Sequence, residues 1–240
     1  MLLLLIFIGV KMNLKILNEV EHMLQTSPQA VRNHAKLRQL VRGIFDVELQ
    51  SSMFTTVYDL TEEIDGLVLH KYFGEVWQPE TKKFKYSGLK VVEEVNSLNP
   101  RNVLDIGCGY NEFKTQIPNL IGIDPYNTAA DLEVDLLSYQ TDIKFDVVIA
   151  LGSINFGSTD KVFAELEKAV SLCAPGAVMF FRVNPGHQHD KPEARWITFY
   201  PWNSNFIINC ADHFDVDVLD LRNDSNNRMY FVWRTKNANQ

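Results

Sequence analysis

Apolar residues recur every three or four positions along much of the first hundred residues. Between residues 14 and 25, the positions Leu14, Leu17, Val20 and Leu24 fall on one face of a helix. Ser27-Pro28 then supplies an N-cap and a first-turn proline for a second helix. Two further segments, 61–73 and 87–98, show helical spacing. The pattern predicts a helical N-terminal region.

From residue 102 onward, short apolar runs alternate with helical segments. The runs lie at 102–106, 120–123, 133–134, 145–151 and 177–183, with helices predicted from Glu112 and over 159–173. Buried runs separated by helices are typical of a parallel sheet that is covered on both faces. The last two runs, 214–221 and 229–234, are joined by a short polar link, so they are predicted to be antiparallel neighbours.

Together these elements predict an α/β fold. We expect a Rossmann-like, seven-stranded, mostly parallel sheet with one antiparallel strand at its C-terminal end, helices on both faces and an N-terminal helical cap. The predicted regions are an apolar tail or start artefact at 1–11, an N-terminal helical cap at 12–85, and a ligand-binding domain at 86–240.

Composition narrows the function. The net charge of −7 gives no strong nucleic-acid signal, although the basic face of the helix between Arg32 and Arg42 leaves a local contact open. The apolar run at 1–10 is shorter than the roughly 20 residues that span a bilayer. Three scattered cysteines form no metal-ligand pattern and fit a reducing compartment. The sequence therefore predicts a cytoplasmic protein without a metal site.

The segment 103–113 reads as a buried strand, a glycine turn and a helix start. A dinucleotide turn needs a third glycine where this chain has Glu112, and no Gly-Lys-Ser/Thr follows for a P-loop. A carboxylate there would repel a pyrophosphate. The turn therefore predicts a ligand without nearby phosphates, and Asp105 at the strand end suits a positively charged group.

Two more carboxylates follow later strands. Asp124 lies nineteen residues after Asp105, at a distance suited to ribose hydroxyls, and Asp135 ends the next short run. Because the carboxyl ends of parallel strands share one sheet edge, these side chains are expected to lie close together. A purine nucleoside with a cationic amino-acid tail would match that edge.

Five segments resemble motifs of the class I S-adenosylmethionine-dependent methyltransferases. VLDIGCG at 103–109 resembles the first motif, IGIDP at 121–125 the second, VDL at 134–136 the third and FDVVIAL at 145–151 the fourth. LCAPGAVM at 172–179 resembles the turn before the fifth strand, and the terminal strand pair is also similar. The resemblance extends over about residues 86–235.

The resemblance implies S-adenosylmethionine as cofactor and S-adenosylhomocysteine as product. The methionine part would lie on the glycine turn, the ribose on Asp124 and its neighbours, the adenine near Asp135, and the sulfonium over the fourth strand. The implied cofactor residues are Asp105, Gly107, Cys108, Gly109, Asn111, Asp124, Pro125, Tyr126, Asp135, Leu136, Leu151 and Gly152. Asn111 stands where the family usually has glycine, and asparagine tolerates a left-handed backbone.

The acceptor side carries fewer signals. Arg182, Trp196 and Tyr200 are candidate acceptor contacts, and His187 or His189 could act as a base. No D/N/S-P-P-Y/F/W motif and no Pro-Cys pair occurs, which disfavours nucleobase methylation. The expected function is methyl transfer to a small or medium-sized acceptor, driven mainly by alignment.

Three alternatives remain open. The chain could be a degenerate, non-catalytic module that binds the cofactor or its product. It could also be an RNA or protein methyltransferase, or a nicotinamide oxidoreductase, which Glu112 disfavours. Neither the acceptor nor the oligomeric state follows from the sequence.

Overall fold

A computed structural model describes residues 12–77, 85–186, 192–224 and 227–237. Among these residues the chain forms two compact units. One contains residues 12–77 and 192–198, and the other contains 85–186, 199–224 and 227–237. Within the described ranges, none of the helices combines the length and apolar character needed to cross a membrane.

The first unit is helical. It contains α1 (Leu14–Thr26), α2 (His34–Phe45) and α3 (Val57–Lys71), with 3-10 turns at Pro28–Arg32 and Pro192–Trp196 and a π-turn at Tyr72–Val76. The Asn13 amide ties its parts together, because it donates to Asp65 Oδ1 at 2.8 Å and to the Trp196 carbonyl at 2.7 Å. The predicted helix at 14–25 is confirmed. The second predicted helix is divided into the first 3-10 turn and α2, which Asn33 caps.

The second unit is built on a six-stranded sheet in the order β2-β1-β3-β4-β6-β5. Strands β1, β2, β3 and β4 are parallel, while β6 runs antiparallel to both of its neighbours. The strands are β1 (Val103–Ile106), β2 (Leu120–Ile123), β3 (Phe145–Leu151), β4 (Cys173–Val183), β5 (Val216–Asn223) and β6 (Met229–Thr235). The predicted antiparallel strand near the C-terminus is confirmed.

Helices cover both faces of this sheet, as the continuous apolar strands require. On one face, α5 (Thr159–Ser171) and α6 (Ser204–His213) pack on alternate strand residues such as Leu104, Val148 and Phe231. On the other face, Val91, Val92 and Val95 of α4 (Lys85–Ser97) pack on the intervening residues, including Val147 and Phe180.

The prediction of seven strands is wrong by one. The expected short strand at 133–134 is replaced by a loop that contacts the edge of β2 through a single parallel bridge, between Leu132 and Ile123. Leu132 and Glu133 are exposed, so this stretch buries too little apolar surface to hold a strand.

The helix predicted from Glu112 is also absent. Only a 3-10 turn, Glu112–Thr115, stands between β1 and β2. The connection has just thirteen residues, 107–119, and the glycine turn uses the first of them. Pro118 and the left-handed Asn119 (φ 57°) then end any helical course. Thirteen residues are close to the minimum of about a dozen that a connection between parallel strands needs.

Candidate functional site

The glycine turn after β1 has an unusual backbone. Gly107, Gly109 and Asn111 all have positive φ angles, of 67°, 55° and 56°. The turn is also tightly packed, since a Cβ atom at Gly107 would lie 2.3 Å from the Cβ of Ser153, in the loop after β3. Glycine is therefore required at position 107 by both conformation and space. Asn111 adopts the left-handed conformation that its residue type tolerates.

Asp124 joins the turn to the end of β2. One of its carboxylate oxygens accepts the Gly109 N–H at 3.0 Å, and the other accepts the Tyr126 N–H at 2.8 Å. Tyr126 follows Pro125, and all three residues are half-buried at the carboxyl edge of the sheet. Each carboxylate oxygen keeps a second lone pair, so Asp124 can accept further hydrogen bonds from a ligand.

Asp105, the third residue of β1, is only 4% exposed. Burial, together with the nearby charge of Asp124, raises the pKa of the Asp105 carboxyl to about 7. The same carboxylates act on the neighbouring thiol, because burial and the charges of Asp105, Asp124 and Asp131 all raise the pKa of Cys108. Cys108 is therefore a packing residue with little thiolate character.

Asp131 bonds the free edge of β2, where a neighbouring strand was predicted. Its Oδ2 accepts the Gly122 N–H and the Lys114 ammonium, both at 2.8 Å. Burial opposes ionisation of Asp131, but hydrogen bonds from Gly122, Lys114 and Asn111 lower its pKa. The space above Gly122 is closed, since a Cβ atom there would lie 2.5 Å from Asn111 Oδ1 and 2.8 Å from Cys108 Sγ. Asp131 thus holds the glycine turn against β2.

Asp135 and Leu136 lie beyond this loop. Asp135 is exposed, and its Oδ1 accepts the N–H groups of Leu137 and Ser138 at 2.9 and 3.1 Å. Leu136 points into the main core and is 6% exposed. The side chain of Asp135 therefore orders a turn, and its remaining lone pairs face solvent.

Leu151 is the last residue of β3, and Gly152 follows it close to the glycine turn. Leu151 pairs with Arg182 of β4, and Gly152 has a φ angle of 105°. Ser153 follows, and its buried Oγ has no hydrogen-bond partner among the described residues. Arg182 is 7% exposed, and its Nε donates to Asp224 Oδ2 at 2.6 Å.

No protein-family model and no curated protein sequence matches this chain. Solved structures do match. The 1,6-didemethyltoxoflavin-N1-methyltransferase of Burkholderia thailandensis, solved with 1,6-didemethyltoxoflavin and S-adenosylhomocysteine, is 11% identical with a TM-score of 0.57, over 80% of this chain and 95% of that one. The N-methyltransferase NodS of Bradyrhizobium japonicum WM9, in complex with S-adenosylhomocysteine, is 14% identical with a TM-score of 0.51, over 70% and 96%. The amino pentose methyltransferase CalS10 of Micromonospora echinaspora, with bound S-adenosylmethionine, is 13% identical with a TM-score of 0.50, over 78% and 100%.

This chain has the class I methyltransferase fold. The likeness to these structures confirms the fold that the five sequence motifs imply. The glycine turn, Asp124 and Gly152 directly follow β1, β2 and β3, so they lie on the carboxyl edge of the sheet, where open α/β folds bind ligands.

The predicted acceptor residues belong to different surroundings. Tyr200 is buried in the core of the second unit, where its ring packs on Trp202 and Phe206 at 5.3 and 4.9 Å. Trp196 belongs to the helical unit, where it packs on Phe45 at 4.8 Å and lines a cavity of about 230 Å³. The candidate bases His187 and His189 lie outside the described residues.

Several polar residues of this edge were not singled out by the sequence. Asn155, 2% exposed, joins three segments: its Oδ1 accepts the Asn184 N–H, and its carbonyl accepts the Tyr200 N–H, both at 3.0 Å. Nothing in the sequence marks this role, since Asn155 simply lies in the loop after β3 and Asn184 directly follows β4. Asp224 and Arg228 were part of a polar link, and only their opposite charges hinted at their role.

The raised pKa of Asp105 predicts how stability depends on pH. Because the folded protein binds this proton more tightly than the unfolded chain does, the contribution of Asp105 is greatest below pH 4 and is lost as pH rises through about 7. Asp105→Asn removes the burial of a charge. We expect its melting temperature to exceed that of the parent at pH 8, with the difference shrinking toward pH 4. Melting curves that differ by the same amount at both pH values would contradict the assignment.

Proposed function

We propose that this protein is an S-adenosylmethionine-dependent methyltransferase that acts on a small or medium-sized acceptor. One observation carries the proposal: Asp105, Asp124 and Asp131 surround a left-handed glycine turn, and one of these carboxyls is buried. Carboxyl groups this close to the turn favour a cationic ligand and oppose a phosphate, although Asp131 is already paired with Lys114.

The residues of this edge fit the cofactor. Asp105 and the turn at Gly107–Gly109 would hold the amino-acid end, since a buried carboxylate gains a partner in the ligand ammonium. Asp124 would accept the ribose hydroxyls through its free lone pairs. The buried Ser153 Oγ offers a further polar contact next to the turn. Asp135 and the Leu136 backbone would receive the adenine, and Leu151 with Gly152 would lie beneath the sulfonium.

When bound, the sulfonium supplies an electrophilic methyl group, and the chain contributes mainly alignment. The carboxyl ends of β1, β2 and β3 fix the turn, Asp124 and Gly152 on one rigid edge, so the bound donor would be presented in one orientation. Cys108, with its raised pKa, takes no part as a nucleophile. An acceptor with a lone pair free at neutral pH needs no base from the protein.

The solved neighbours support this class of acceptor. A didemethyltoxoflavin methyltransferase and an amino pentose methyltransferase, by their names, act on small molecules. We infer the same class here because the two chains cover 80% and 78% of this one. A polynucleotide or protein substrate would instead have to bind the basic side of α2. Arg42 on that side is already paired with Glu48 at 3.0 Å.

Binding distinguishes this proposal from a nicotinamide enzyme. We expect S-adenosylmethionine and S-adenosylhomocysteine to raise the melting temperature, while NAD leaves it unchanged, because the carboxylates repel a pyrophosphate.

Asp124→Ala should weaken the binding of S-adenosylhomocysteine several-fold or more, by about 1–3 kcal/mol for lost hydrogen bonds to a charged group. Isothermal titration calorimetry measures both affinities.

Asp146→Ala is the matched control. Asp146 also accepts two backbone N–H groups, those of Arg101 and Asn102 at 2.7 and 3.1 Å, but it lies at the opposite end of β3. Asp146→Ala should lower the stability by about as much as Asp124→Ala does, and it should leave the affinity for S-adenosylhomocysteine unchanged. Stabilisation by NAD alone, or equal loss of affinity in both variants, would refute the proposed site.

A non-catalytic cofactor-binding module is the second candidate. The observation that favours it is the shortened adenosine side, where one 3-10 turn and one β-bridge stand in place of a helix and a strand. Turnover separates the two candidates. The methyltransferase proposal expects S-adenosylhomocysteine to accumulate with at least one member of a panel of amine, hydroxyl and thiol acceptors, whereas tight binding with no turnover across the panel favours the module.

A further inference from the structure

A group of charged residues beyond Gly152 has more positive than negative members. Arg182 of β4 forms an ion pair with Asp224, and both side chains are largely buried, at 8% and 13% exposure. Arg182 Nη2 is buried and has no hydrogen-bond partner among the described residues. One guanidinium nitrogen is therefore left over after the ion pair is made, and an unsatisfied buried donor is costly.

Arg228 adds a second positive charge. Its backbone N–H donates to Asp224 Oδ1 at 3.0 Å, while Oδ2 of the same carboxylate accepts the Arg182 Nε–H. Burial and the charge of Arg182 lower the pKa of the Arg228 guanidinium, and Asp224 opposes this only in part. The guanidinium stays protonated, because arginine does not lose its proton in proteins. The group Arg182, Asp224 and Arg228 thus carries a net positive charge.

The position of this group points to the acceptor rather than to the donor. Arg228 Nη1 lies 4.0 Å from where a Cβ of Gly152 would stand, whereas the next residue, Ser153, packs against Gly107 of the glycine turn. The Gly152–Ser153 segment therefore has the carboxylate-lined turn at one end and the arginine at the other. A methyl group presented over Gly152 would pass from the negative side of the edge to the positive side.

We propose that Arg228, with Arg182 behind it, binds an acidic group of the acceptor, a carboxylate or a phosphate. This inference rests on the proposed function and names the substrate class of the same site. An arginine fork matches both anions, and the charge of a second arginine strengthens the contact in a partly buried site. The acceptor would then be a small molecule whose methylated atom lies within a few bonds of its acidic group.

The test measures anion binding to protein saturated with S-adenosylhomocysteine. Inorganic phosphate and benzoate are titrated at constant ionic strength, with melting temperature and calorimetry as readouts. We expect at least one of them to bind saturably. Arg228→Gln should weaken that binding at least about tenfold, and Asp224→Asn should strengthen it, because it removes the competing negative charge.

Arg222→Gln is the matched control, because Arg222 lies in β5, at the other end of the link that carries Arg228. Arg222 is 53% exposed, pairs with Asp220 and stacks on Tyr230 with its guanidinium 4.7 Å from the ring centre. Its loss should leave anion affinity within about twofold, since exposed pairs contribute little. Asp224→Asn gives the test an effect of opposite sign that does not depend on removing an arginine.

Three results would overturn the inference. They are the absence of saturable binding by either anion, an equal loss in Arg222→Gln and Arg228→Gln, and a parallel tenfold loss of S-adenosylhomocysteine affinity in Arg228→Gln. The last result would assign Arg228 to the carboxylate of the cofactor. If the parent protein fails to bind S-adenosylhomocysteine, the proposed function fails, and the titration of free protein still decides whether the arginines bind an anion.

Discussion

One buried carboxyl, that of Asp105, dominates the electrostatics at the carboxyl edge of the sheet. Asp105 lies inside a parallel sheet at the point where the chain leaves β1, and burial together with Asp124 raises its pKa to about 7. A buried carboxylate without a cation is unfavourable, so this edge is most stable either with Asp105 protonated or with a positive ligand group beside it. The glycine turn follows Asp105 directly, and the hydrogen bond from the Gly109 N–H to Asp124 holds its backbone in place.

Charge divides the edge at Gly152–Ser153. The side of β1 and β2 holds Asp105 and Asp124, together with Asp131, which is paired with Lys114. The side of β4 and β6 holds Arg182, which is paired with Asp224, and Arg228. In the proposed reaction, such a division would orient a cationic donor and an anionic acceptor toward each other. The same charges would oppose exchange of the two binding positions, because each half would repel the ligand proposed for the other half.

The sequence predicted the parts of this molecule that follow from local pattern. The buried strands, the antiparallel end and the left-handed Asn111 all depend on residue type at a known spacing. The strand predicted at 133–134 and the helix predicted from Glu112 are absent. The alternation of apolar runs and helical segments indicated both, but it did not take account of the thirteen-residue connection or of the exposure of Leu132 and Glu133. Asp131, Asn155 and the pairing of Arg182 with Asp224 were out of reach, since each joins segments that are brought together only by the fold.

The central claim is that the Asp105 turn holds the cationic amino-acid end of the cofactor. It is tested most directly by the protons released on binding. At pH 6, Asp105 is mostly protonated and the ligand ammonium is charged, so their contact should expel close to one proton. Calorimetric titration of S-adenosylhomocysteine in buffers of different ionisation enthalpy measures this number. We expect a release close to one proton in the parent and close to none in Asp105→Asn. Equal release in both proteins, or none in the parent, would contradict it.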